Sequence, residues 1–168
     1  MQTVTSKDGT TIAFDRYGTG HAVILVGGAF QHRAIHPGMT ELAQTLGRQF
    51  TGIYYDRRGR GDSTDTSPYS IDREVEDLQA IIQAVGGTAS LFGMSSGGAL
   101  ALEAVLCGLP IRRVAMYEPP YFTEEHQRPE AEEYTHHLNA LLAAGHLSEA
   151  AAFAMTRMGA PAEAVAEL

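Results

Sequence analysis

Gly93-Met94-Ser95-Ser96-Gly97 is the stretch of the chain whose residue types and spacing could do covalent chemistry. A serine flanked by glycines two residues away on either side fits a turn that lifts a hydroxyl off the end of a strand. The backbone there must enter strained dihedrals, and a side chain at position 93 or 97 would collide with its neighbours. A helix beginning just after Ser95 would aim unpaired backbone N–H groups and a partial positive charge at any anion forming on a bound substrate. That is the chemistry of a serine nucleophile attacking an acyl group. A pentapeptide of common residues is by itself also a plain flexible turn, so its weight depends on what surrounds it.

Two further stretches lie upstream. Val26-Gly27-Gly28-Ala29-Phe30 follows an apolar run, and its glycines let backbone approach a ligand closely. A tetrahedral oxyanion needs two N–H donors; Ala29, with Phe30 as the alternative, can offer one from this loop, and Ser96, next to the nucleophile, the other. Tyr55-Asp56-Arg57-Arg58-Gly59-Arg60-Gly61-Asp62-Ser63 pairs Asp and Arg around a glycine turn, which reads as bracing of neighbouring loops.

The elements that must position these residues follow from periodicity. Gln2–Ser6 and Thr11–Tyr17 are β-rich and joined through Lys7-Asp8-Gly9, which predicts an antiparallel hairpin. Ala22–Val26 is an unbroken apolar run, as expected of a strand covered on both faces. Met39–Leu46 (helix), Thr51–Tyr55 (strand), Ile71–Val85 (helix), Ala89–Phe92 (strand), Ser96–Cys107 (helix) and Ile111–Tyr117 (strand) then alternate. The predicted class is α/β: a mostly parallel sheet with an antiparallel first hairpin and helices on both faces. Residues 1–120 form this core. After Glu118-Pro119-Pro120, residues 121–168 show only helical patterns, carried by Tyr134, Leu138, Leu141 and Leu142 and then by Leu147, Ala151, Met155 and Met158.

In this order and spacing, Val26-Gly27-Gly28, Asp56-x-Arg58-Gly59-x-Gly61-x-Ser63 and Gly93-x-Ser95-x-Gly97 resemble the α/β-hydrolase fold family, over the full chain. The resemblance implies Ser95 as nucleophile, Ala29 and Ser96 as backbone oxyanion donors, and residues 121–168 as the start of a helical cap. Many members begin the first loop with His-Gly where this chain has Gly27-Gly28. A serine at 95 argues against the branches of the family that attack through a carboxylate.

A serine hydroxyl needs a histidine base oriented by a carboxylate. In this family the order along the chain is Ser, then Asp or Glu, then His. No Asp follows Ser95, and Glu118, after Ile111–Tyr117, is the candidate acid. His126, His136, His137 and His146 lie in the helical segment, where a solvated surface is the ordinary expectation. The last two strands of the family fold, with the loops bearing acid and base, are expected to be absent. The sixth strand then needs a cover, from a second chain or by self-association.

Composition narrows the partners. With a formal net charge of −8, nucleic acid and anionic membrane are poor electrostatic partners, and a small acyl substrate suits the chain better. One cysteine, Cys107, excludes an internal disulfide, and a place on the apolar side of its helix is expected for it. No leader pattern or spanning apolar run is visible, so a soluble, cytoplasmic protein is expected. His32 and His36 have no third ligand in sequence, no Gly-Lys-Ser/Thr cradle occurs, and neither metal nor cofactor is expected. The leading expectation is a serine hydrolase acting on an ester, thioester or related acyl bond through an acyl-Ser95 intermediate. The alternative is a non-catalytic ligand-binding or interaction module derived from the same fold.

Overall fold

The computed structural model describes residues 1–121, 124, 125, 128–161, 163 and 165. Contacts between Cα atoms divide the chain into two compact units, Met1–Pro120 and Tyr121–Leu168.

The first unit holds strands β1 (Gln2–Thr5), β2 (Thr11–Tyr17), β3 (Ala22–Val26), β4 (Thr51–Tyr55), β5 (Ala89–Met94) and β6 (Ile111–Tyr117), and helices α1 (Pro37–Leu46), α2 (Ile71–Ala84) and α3 (Ser96–Leu106). The six strands form one sheet in the order β1-β2-β4-β3-β5-β6. β3 pairs in parallel with both β4 and β5, and β5 with β6, whereas β1–β2 and β2–β4 are antiparallel. The antiparallel start and parallel centre match the expectation from sequence; the antiparallel seam between β2 and β4 extends it.

Two apolar clusters cover the two faces of the sheet. On one, Ile24, Val26, Ile53, Tyr55 and Leu91 pack with Val75, Leu78, Ile81 and Ile82 of α2 and Leu100, Ala101 and Ala104 of α3. On the other, Leu25 and Tyr54 pack with Met39 and Ala43 of α1. β3 alternates between the two clusters, which is why its sequence is apolar without a break. Helix α1 starts with Pro37 as its first residue, where the missing N–H costs nothing. Helix α2 starts on Ser70, whose hydroxyl accepts the Arg73 N–H.

Cys107 departs from expectation. The buried face of α3 ends at Ala104, and Val105, Leu106 and Cys107 are exposed. β6 pairs with β5 and with no other strand among the described residues, and Arg112, Arg113, Ala115, Met116 and Tyr117 are exposed along it.

The second unit contains α4 (Arg128–Ala143) and α5 (Leu147–Arg157), separated by Gly145 at φ 75°. Tyr134 stacks on Phe153 at 5.4 Å between ring centroids, His137 lies 4.5 Å from the same ring, and Glu130 pairs with Arg157. Ala150 and Ala154 are buried. No helix among the described residues is long and apolar enough to cross a membrane.

Candidate active site

Strained backbone gathers beyond the ends of three neighbouring parallel strands. Among the described residues, the non-glycine positions with positive φ are Phe30 (58°), Ser95 (51°) and Glu118 (46°), which follow β3, β5 and β6. These strands are neighbours and parallel, so the strained positions line one rim of the sheet, at the carboxyl ends of the strands. Each such residue costs on the order of 1–3 kcal/mol, and positions of this kind cluster at functional sites.

Ser95 adopts φ 51° and ψ −125° between β5 and α3. Its N–H donates to the Tyr117 carbonyl at 2.8 Å, and its own carbonyl accepts from Gly98 N–H at 2.8 Å, so strand and helix both grip the turn. A Cβ on Gly97 would collide with the Val26 carbonyl and stand 2.6 Å from the Gly27 carbonyl oxygen. One on Gly93 would stand 2.5 Å from the Gly98 Cα. The turn therefore exists only because glycine occupies 93 and 97. Gly28 closes on it from the β3 side, where a Cβ would lie 3.2 Å from both the Ser95 Cβ and the Met94 carbonyl oxygen.

Backbone donors remain free beside this serine. The N–H groups of Ala29, Phe30 and Ser96 have no acceptor among the described residues, whereas that of Gly28 donates to Gln31 Oε1 at 2.8 Å. Ala29 and Ser96 are half-buried and Phe30 is exposed.

Asp56–Ser63 braces these loops in detail. Arg57 is buried and forms a two-pronged pair with Glu74 of α2, at 2.6 and 2.5 Å. Its Nη1 also reaches the Gly27 carbonyl oxygen at 3.3 Å and Ser96 Oγ at 3.1 Å. Burial alone would raise the Glu74 pKa, but the hydrogen bonds from Arg57 outweigh it and hold the carboxyl below its usual value. Arg58 pairs with Asp77 and Asp8, and Arg33 with Asp56, Asp15 and Asp62. Arg60 Nη1 donates to the Gly28 carbonyl oxygen at 2.8 Å. Sequence reasoning gave this stretch, Arg60 included, a bracing role but missed Gln31 and the links from Arg60 to Gly28 and from Arg57 to Ser96, because each contact joins residues far apart in sequence.

Glu118 is exposed and stands one residue past Tyr117, the acceptor of the Ser95 N–H. No histidine or carboxylate among the described residues hydrogen-bonds the Ser95 hydroxyl. His136, His137 and His146 lie on α4 or just before α5, exposed; His126 lies outside the described residues. No three His, Cys, Asp or Glu side chains cluster as metal ligands among the described residues.

The sequence profile described as the Alpha/beta hydrolase family matches residues 23–167. No curated protein matches the chain. Among solved structures, an alpha/beta hydrolase from Sphaerobacter thermophilus DSM 20745 is 51% identical with a TM-score of 0.82, over 99% of this chain and 64% of that one. The bottromycin epimerase BotH, solved with bottromycin A2, is 27% identical with a TM-score of 0.67, over 98% of this chain and 64% of that one. An esterase (EaEST) from Exiguobacterium antarcticum shares the fold at 21% identity and a TM-score of 0.65, over 83% of this chain and 56% of that one. The chain thus spans less than two thirds of the length of each. With a mostly parallel sheet, a strained serine between β5 and α3 and a profile match over most of its length, the chain belongs to the alpha/beta hydrolase family.

Proposed function

We propose that this chain carries the nucleophile of a serine hydrolase that cleaves an ester, thioester or related acyl bond of a small molecule through an acyl-Ser95 intermediate. The carrying observation is Ser95 at φ 51° on the turn into α3, with Gly28 against its Cβ and the Ala29 and Ser96 N–H groups unpaired among the described residues. In this reading Ser95 Oγ attacks the acyl carbon, its proton passes to a histidine, and the carbonyl oxygen becomes an oxyanion held by Ala29 and Ser96. The histidine, and the acid unless Glu118 serves, come from outside the described residues: a further segment or a second chain that also covers the open side of β6. The α4–α5 unit acts as a cap, no cofactor takes part, and the cytoplasm is the compartment that suits a chain with a single cysteine.

A fluorophosphonate probe applied to the product of the native gene tests the reading. Labelling should map to Ser95 by peptide mass and vanish in Ser95→Ala; labelling that survives this substitution would refute it. Size-exclusion chromatography with intact-mass measurement tests the cover on β6, and a stable monomer of this chain alone excludes it.

One observation favours a second reading, a ligand-binding module without hydrolysis: the Ser95 hydroxyl has no base among the described residues. The likeness to an epimerase shows that the fold is not confined to hydrolases. This reading predicts no labelling of the native gene product, with thermal stabilisation by small acyl compounds retained.

A further inference from the structure

We propose that Arg60 is a positioning residue: by holding the carbonyl end of the Gly28–Ala29 peptide group it fixes the direction of the Ala29 N–H. The inference rests on the reading of Ala29 as an oxyanion donor. A trans peptide group is planar, and its C=O and N–H point in opposite directions. Ser67-Pro68 is the cis bond among the described residues, so Gly28–Ala29 is trans. Whatever grips the Gly28 oxygen therefore aims the Ala29 hydrogen.

The grip comes from Arg60 Nη1 at 2.8 Å, with a longer contact of 3.4 Å from the Gln31 N–H. At its other end Gly28 gives its own N–H to Gln31 Oε1, and Gln31 Nε2 in turn donates to Met94 Sδ at 3.3 Å, one residue before the serine. Gly28 is thus fixed from both sides by side chains, and the next N–H in line, that of Ala29, is left without an acceptor among the described residues. Arg57 acts in parallel on the second donor, tying Ser96 Oγ to the Gly27 carbonyl.

Arg60 has no other function visible in its contacts. Its neighbours Arg57, Arg58 and Arg33 each pair with carboxylates, and nearby Asp62 is taken by Arg33. Arg60 has no ion pair among the described residues, although it is half-buried. Burial and the adjacent Arg57 charge both disfavour its cationic form. Among the described residues this guanidinium makes one hydrogen bond, to the Gly28 carbonyl.

Backbone NMR of the 168-residue chain, compared with Arg60→Gln and Arg60→Lys, reads the orientation without needing catalysis. The Gly28 carbonyl carbon and the Ala29 amide should shift in Arg60→Gln and move back part of the way in Arg60→Lys. If both resonances stay in place in Arg60→Gln, the proposal is overturned. The functional arm uses the native gene product with p-nitrophenyl acetate and the fluorophosphonate. Arg60→Gln should lower kcat and the Ser95 labelling rate at least tenfold, the smaller part of the roughly 10²–10³ that loss of one oxyanion donor costs, with KM little changed. A loss confined to melting temperature, with kcat and labelling retained, would mark Arg60 as merely structural. Should wild-type Ser95 fail to label at all, the hydrolase reading falls, and the carbonyl and amide shifts still decide the orientation.

Discussion

Ser95 and Tyr117 are joined by a hydrogen bond of 2.8 Å, from the serine N–H to the tyrosine carbonyl, where β5 and β6 end together. The bond fixes the Ser95 turn to the strand that carries Glu118, so the strained residues at 95 and 118 share one support.

Glu118 offers a direct test of that support. At φ 46° a glycine is relaxed where glutamate is not, so Glu118→Gly should stabilise the first unit by about 1 kcal/mol, read as a higher urea midpoint. Glu118→Gln keeps the strain and removes the charge. It should leave stability within about 0.5 kcal/mol, and it should lower the Ser95 labelling rate in the native gene product only if Glu118 orients the base.

Gly97→Ala and Gly28→Ala should differ in severity. At 97 the added carbon meets two backbone carbonyls that cannot move aside, and a loss of at least about 3 kcal/mol in chemical denaturation is expected. At 28 the contacts of 3.2 Å ask for a shift of a few tenths of an ångström, so stability should fall by less than about 1.5 kcal/mol while labelling of Ser95 suffers. Equal losses at the two positions would contradict this account of the turn.

The Arg57–Glu74 pair should behave as a buried ion pair. Arg57→Met alone leaves a buried carboxylate and Glu74→Met alone a buried guanidinium, each at a cost of about 3–5 kcal/mol. The double substitution should cost markedly less than their sum in a double-mutant cycle, because neither charge is then stranded.

Acid should unfold the first unit through its depressed carboxylates. Hydrogen bonds from Arg58 and Thr10 hold Asp8 far below the usual aspartate value, and Arg57 lowers Glu74 against its burial. A carboxyl with a lower pKa folded than unfolded stabilises fully above its unfolded value, and that stability is lost as pH falls toward the folded one. Melting temperatures should therefore be flat from pH 7 to about 5 and drop steeply below about 4, the unfolded carboxylate range. Asp8→Asn should flatten the acid limb.

Much of the core was legible because local signals agreed with one another. The apolar periodicity of α2, the unbroken run of β3 and the glycines at 93 and 97 each reflect one local demand, burial on one face, burial on two, or room for backbone. What was not legible depends on distant residues. The β2–β4 seam pairs segments some forty residues apart, and Arg60 meets Gly28 across 32. Cys107 was misplaced because an apolar run along α3 does not say where burial stops, and it stops at Ala104. A base for Ser95 was not legible either, and no imidazole among the described residues bonds its hydroxyl.

Strand β6, paired on one side among the described residues, begins Ile111-Arg112-Arg113, and both arginines are exposed. The pairing of β6 with β5 shifts register here, and Ile111 and Val114 pack against the same apolar cluster, so the two arginines break the alternation of the strand. A second β6 laid alongside in the same register would set like charges opposite each other twice over, a destabilising match. At an edge such a pair disfavours in-register stacking of identical strands.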